Sequence, residues 1–418
     1  MLFVRKRVRM EMHPVFSPLA IMTLVSVVLV GCSLTPGRTE RPTWLVQLER
    51  VHGNLLPGQI IEMNDQRPIA FQQLLDRLSN KRLVYVGETH NEAEHHDVQL
   101  EVLKGLHAKD TRLIIGMEMF ERTFQSVLDE WTAGAIDQKA LLRESEWLSR
   151  WKFDFYYYEK ILGFAREHNV KILALNAPRE LVRKVGEFGV NALSPGEKGM
   201  IASIDTSDNL HRDYLQRVFQ RHHRSPGQTF QSFYEAQCVW DDTMAETISK
   251  FVTTPEGEDK RIIVFCGAGH MIYKFGVPMR VFRKTPVPYA TILPCTLKRI
   301  RGEFYGEGEP AFPPPADYLW ITKDSAHKKV RLGIVAEKGL AGEEGVVVRK
   351  VIIGSPAEKA GIESGDMILS IDEETTNDMV DLKLALSGKE PGSVGRIVYQ
   401  RGGKRREAEM TFLEIGAK

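Results

Sequence analysis

Cysteine is nearly absent from this chain. Four thiols in 418 residues are too few for a disulfide framework, which excludes the small stapled scaffolds. A dominant charge is missing too. The formal net charge is +1, so no global field draws the chain to nucleic acid or another polyanion. The apolar run from Leu19 to Val30 falls short of the roughly 20 residues that an ordinary membrane-crossing helix needs. What remains is an ordinary globular composition, 43% hydrophobic and 27% charged, in a length that suits two or three domains.

The N-terminus reads as a processing segment rather than fold. Arg5, Lys6, Arg7 and Arg9 precede the apolar run, which ends in "LVGC" at Cys32. This pattern resembles a bacterial lipoprotein signal. The resemblance implies cleavage before Cys32 and lipidation of that cysteine, with several acyl chains giving stable anchoring. Ser33, rather than Asp, follows, which implies an outer-membrane location facing the periplasm. The segment 32–43 is then a polar tether.

From Trp44 the chain alternates strand and helix. "RLVYVG" (82–87), "RLIIGMEMF" (112–120), "VKILALNAP" (170–178), "RIIVFCGAGH" (261–270) and "PYATILPCTL" (288–297) read as strands, several apolar enough to be buried on both faces. Between them lie helical stretches such as 91–107 and the long amphipathic "FQSFYEAQCVWDDTMAETISKF" (230–251). The pattern predicts an α/β domain over 44–300 with a largely parallel sheet. Ligands bind such sheets beyond the carboxyl ends of the strands. There the first strand brings Glu88 and His90, the second Glu118, the third Asn176 and the fourth His270. Two carboxylates and two imidazoles on one rim suit a divalent metal ion with N/O ligands, or metal-free acid–base hydrolysis. Each also has a plainer reading, as a helix-start charge or a loop histidine. His95 and His96 read as packed near the site rather than as ligands.

The segments "VGETHNEAEHHDVQ", "GMEMFER", "WKFDFYYYEKILGFAREHNVKILALNAPRELVRKV", "AQCVWDDTMA" and "GAGHMIYKFGVPMR" together resemble the ChaN-like haem-binding lipoproteins. That superfamily also includes erythromycin esterases and Tiki/TraB-type proteins. The resemblance implies an α/β fold, haem or iron binding, and haem uptake at the outer membrane. It also implies a tyrosine ligand, with Tyr273 the first candidate beside His270, and Tyr157 the choice within the run Tyr156–Tyr158. Trp147 and Trp151 either line a flat pocket or belong to the core. The hydrolytic branch keeps a second expectation open, in which Glu88, His90, Glu118 and His270 are catalytic and Asp241, four residues after Gln237, faces the site. Haem or a divalent metal ion is therefore the expected cofactor, and a homodimer stays open. The odd set Cys238, Cys266 and Cys295 allows one disulfide. The basic stretch "RHHRSPG" (221–227) reads as a solvated turn.

Residues 301–327 are rich in proline and glycine and read as an exit and linker. Beyond them, "SPAEKAGIESGDMILSID" (355–372) resembles a PDZ domain of the bacterial protease type, expected over 328–418 and β-rich. Leu332, Gly333 and Ile334 match its carboxylate-binding loop, and 380–386 the helix flanking the groove, so a protein or peptide partner is expected. No glycine follows that triplet directly, which weakens the case for carboxylate capture. Three roles follow: a haem-binding lipoprotein with a PDZ partner module, a periplasmic hydrolase with a PDZ recruiting module, or an adaptor working through the PDZ domain.

Overall fold

The computed structural model describes residues 48, 50, 55–221, 228–296, 313–323, 330–339 and 344–414. The signal segment, Cys32 and nearly all of the basic stretch 221–227 lie outside them. Among the described residues, no helix is long and apolar enough to cross a membrane.

The expected parallel sheet is present. Its strands are β1 (Ile60–Glu62), β2 (Arg67–Ile69), β3 (Leu83–Glu88), β4 (Leu113–Glu121), β5 (Ile172–Asn176), β6 (Arg261–Gly267), β7 (Tyr289–Thr296) and β8 (Tyr318–Thr322), in the order β2-β1-β8-β7-β3-β6-β4-β5. From β8 to β5 every pairing is parallel, and only β1 runs against the rest, antiparallel to both β8 and β2. Alternate residues of β3 serve opposite layers. Val84 and Val86 join one core, under the helices Ala93–Lys109 and Tyr156–Glu167. Leu83 and Tyr85 join the other, under Phe230–Val252 and Val277–Lys284. Burial on both faces is why these strands read as unbroken apolar runs.

Three strands were not apparent in the sequence. β1 and β2 are three residues each, too short to show a period, and Pro68 interrupts β2. β8 falls inside 301–327, the stretch read as linker. It pairs with β7 and β1, so the first domain extends to Thr322 rather than ending at 300.

The C-terminal region is a separate antiparallel sheet. β10 (Ile334–Lys338), β11 (Val346–Val351), β12 (Met367–Ile371), β14 (Val394–Arg401) and β15 (Lys404–Thr411) follow one another across it, with β13 (Glu374–Thr375) on β12; β9 (Val330–Arg331) pairs with β16 (Leu413–Glu414). The short helix Pro356–Lys359 starts where the sequence indicates. Ser355 caps it by accepting the Glu358 N–H, and Pro356 occupies the first helical position. Met379–Leu386 is the second helix of this region.

Candidate functional site

The order β3-β6-β4-β5 sets the four expected strand ends side by side. Glu88 pairs in register with Gly267, and Met117 with Phe265. The β4/β5 pairing slips after Met117, and a slip of this kind turns a strand locally; Glu118 lies at that point. Glu88, His90, Glu118 and His270 thus come together, as two hydrogen-bonded acid–imidazole pairs.

In the first pair, Glu88 is fully buried. Its Oε1 accepts from His90 Nδ1 at 2.7 Å and from the Tyr158 hydroxyl at 2.7 Å, and its Oε2 accepts from Gln99 Nε2 at 2.8 Å. His96 Nδ1 lies 3.5 Å from Oε2. Burial pushes this carboxyl up, but the His96 and His90 imidazoles and the Tyr158 hydroxyl outweigh it and hold it at about 2. Burial pulls the His90 imidazole down, and Glu88 more than offsets this, so His90 is raised. With Nδ1–H donated to Glu88, the Nε2 lone pair of His90 points away from the carboxylate, the geometry by which a carboxylate orients a ligating or basic histidine. The His90 side chain keeps 26% of its exposure. Trp151 meets its ring edge-on at 4.9 Å and Phe153 lies at 4.6 Å.

In the second pair, His270 Nδ1 donates to Asp241 Oδ1 at 2.7 Å, and its Nε2 lies 3.3 Å from Glu118 Oε1. Glu118 Oε2 accepts the Gly267 N–H at 2.6 Å. Burial opposes charge on His270, yet Glu118 and Asp241 raise it well above its ordinary value; Glu118, pushed up by burial, is lowered on balance by His270. His270 lies between two carboxylates, which favour its charged form. Asp241 therefore faces the site, as expected, and the Gln237 amide lies 2.9 Å from His270 Nδ1.

Gly267 stands between the pairs. A Cβ there would lie 2.9 Å from His90 Cε1 and 3.5 Å from Glu118 Oε2, so only glycine permits this approach.

Among the described residues, no group of three or more His, Cys, Asp or Glu side chains is arranged to hold a metal ion. The donor set explains this. Glu88 is engaged by His90, Tyr158 and Gln99, and His270 Nδ1 by Asp241. His90 keeps part of its surface open beside Trp151 and Phe153. The tyrosine candidates are placed differently. Tyr273 is buried against Tyr214 and Phe275, and its backbone is left-handed at φ +56°, unusual for a bulky residue. Tyr157 is buried and stacked on His96 at 5.1 Å, and Tyr156 is half-buried. Trp147 is core, whereas its neighbour Trp151 walls the site. Sequence reasoning missed Gln99 and Phe153, and took Tyr158 only as one of a run of candidate haem ligands; the helical spacing of Gln99 from His95 and His96 was the available signal for the first. No disulfide joins Cys238, Cys266 and Cys295, all of them buried.

In the C-terminal region, Leu332 and Gly333 are buried and Ile334 half-buried. Gly333 has φ +75°, a conformation that favours glycine in a tight loop. This loop and the Met379–Leu386 helix line one cleft of about 490 Å³.

Both regions of the chain are similar to known proteins. Residues 74–281 match the family described as "Haem-binding uptake, Tiki superfamily, ChaN", and residues 326–412 match the PDZ domain family. The chain is 27% identical over 273 residues to "Protein RETICULATA-RELATED 5, chloroplastic" of Arabidopsis thaliana, covering 60% of this chain and 35% of that protein. It is 36% identical over 83 residues to "Probable periplasmic serine endoprotease DegP-like" of Rhizobium meliloti, 20% of this chain and 16% of that one. It thus spans only about a third and a sixth of these relatives' lengths. The solved structure "Cofacial heme binding to ChaN of Campylobacter jejuni" is similar with a TM-score of 0.49 and 19% identity, over 62% of this chain and 95% of that one.

Proposed function

From a chain that carries a ChaN-like haem-binding domain over 74–281 and a PDZ domain over 326–412, we propose an outer-membrane lipoprotein of haem or iron acquisition. It binds haem at the Glu88–His90 edge of the α/β domain and a protein or peptide through its PDZ domain. The sequence 19–32 supports the anchor: lipidated Cys32 holds the chain to the membrane, facing the periplasm. The observation that carries the haem assignment is His90, oriented by a buried carboxylate, partly exposed and walled by Trp151 and Phe153. When bound, the iron supplies the Lewis acidity that His90 Nε2 answers. The chain's own part would be to fix the imidazole tautomer through Glu88, with Trp151 and Phe153 as apolar walls for the bound group. Tyr273, with its left-handed backbone, is the second ligand candidate, since such conformations gather at ligand-holding sites.

The test is a haemin titration of the full chain in detergent, followed at the Soret band. We expect His90→Ala to weaken binding by more than about tenfold. Loss of the Soret shift in Tyr273→Phe alone would assign the ligand to the tyrosine instead. A wild-type chain that leaves the haemin spectrum unchanged sinks the reading. A hydrolytic role is the second reading, favoured by the same Glu88–His90 pair, because Nε2 is placed to take a proton from water. It predicts ester or peptide cleavage that vanishes in His90→Ala with no haem spectrum.

A further inference from the structure

The PDZ groove does not stand alone. Its helix Met379–Leu386 packs on the α/β domain, where Val380 and Leu384 lie against the core that contains Leu141, Leu142 and Trp147. Arg143 donates to Asp378 Oδ2 at 2.8 Å and Asp381 Oδ1 at 2.7 Å, and Lys139 lies 3.4 Å from Asp381. Asp381 is buried, so the α/β domain supplies cations to an acid inside the contact. The cleft at the Leu332–Ile334 loop consequently has a third wall from the other domain, Leu148 with the run Lys152–Phe155. That run is the same one whose Phe153, with adjoining Trp151, packs on His90. β10 has β11 on one side only, at the edge of its sheet, the arrangement to which an extended peptide adds as a strand.

The charge around the cleft is uneven. Lys152, Arg331 and Lys383 line it against one carboxylate, Asp154. A PDZ groove is expected to take a peptide's C-terminus with an apolar last side chain; we propose that this one favours acidic residues upstream of that end and is coupled to the His90 site. The segment 148–155 acts as a shared wall, so that occupancy of the cleft is felt at His90. The terminal carboxylate lies at the Leu332–Ile334 loop, the last side chain enters between the loop and the helix, and acidic residues upstream meet Lys152. A peptide pressing on Phe153 changes how that ring and Trp151 cover the imidazole. The proposal deepens the haem reading, on which one of its two readouts rests.

The test uses the full chain in detergent and a dye-labelled decapeptide with two glutamates ahead of a C-terminal valine. We expect it to bind more tightly than its C-terminal amide and than a version with lysines in place of the glutamates. Lys152→Glu should reverse the charge preference and weaken the acidic peptide by about tenfold. Lys383→Glu is the companion variant, on a different element. Saturating peptide should shift haemin affinity by about fivefold, and haemin should shift peptide affinity by the same factor, as linkage requires. The second readout needs no haem: the rate at which diethyl pyrocarbonate modifies His90, followed by mass spectrometry, should change with peptide by about as much. A silent haemin titration alongside peptide-dependent modification removes the haem reading and leaves the shared wall. Equal affinity of the wild-type chain for acidic and basic peptides, or a His90 modification rate indifferent to peptide, overturns the proposal.

Discussion

At the scale of single residues, the site rests on buried charges that hold one another. Glu88→Gln removes the carboxylate that keeps His90 raised. We expect the His90 pKa, read by NMR titration, to fall in this variant, and the fold to lose roughly 2–3 kcal/mol in urea unfolding, because Tyr158 and Gln99 lose a charged acceptor in the interior. A second residue sets an acid limit. His211 is buried against Tyr234 and Phe275, with Asp241 Oδ2 3.8 Å from its Nε2 and with Asp208, Arg280 and His270 as the other charged groups facing it. Burial outweighs Asp241 and lowers its pKa from 6.5 to about 4. Its folded value lies below the unfolded one, so its contribution is present above about 6.5 and is lost as pH falls through about 4. The loss is about 3 kcal/mol. His211→Gln should flatten that part of the stability–pH curve, measured as urea midpoints between these pH values. Glu88, His90, Glu118 and His270 were legible in the sequence because each lies near or just beyond the carboxyl end of a strand, and parallel strands end on the same edge. Gln99 was not: a polar side chain on a helix points outward by default, and only the acid buried beneath it reverses that.

At the scale of elements, the strand β6 ends in a glycine that the site needs for space. Gly267→Ala places a methyl against His90 Cε1 and near Glu118. We expect a folded protein, destabilised by about 1–3 kcal/mol, whose haemin affinity drops more than its melting temperature would suggest; spectral titration beside calorimetry separates the two. The five long strands and the helix Phe230–Val252 were readable because runs of that length declare a period. β1, β2 and β8 were not, since three to five residues beside Pro68 or the proline-rich stretch before β8 carry no period of their own, and pairing with one another makes them strands.

At the scale of the whole molecule, the packing of the PDZ helix on the α/β domain was invisible in the sequence, because the partners Arg143 and Asp378 stand 235 residues apart and each lies on an ordinary polar helix face. Arg143→Glu sets like charges against Asp378 and the buried Asp381. We expect calorimetry to resolve two unfolding transitions in place of one, and limited proteolysis to open the region between the domains faster.

The position of β8 has a consequence for how the chain is made. The hairpin β1–β2 leaves the ribosome early, but its partner in the sheet is synthesised some 250 residues later. Until then β7 has a bare edge and the hairpin has nothing to pair with, a state that invites nascent chains to join one another. A fragment that stops at residue 300 keeps that edge for good and should collect in inclusion bodies, whereas one reaching Lys323 should stay in solution. β8, the last strand of the sheet to be made, closes that edge and gives the hairpin its partner.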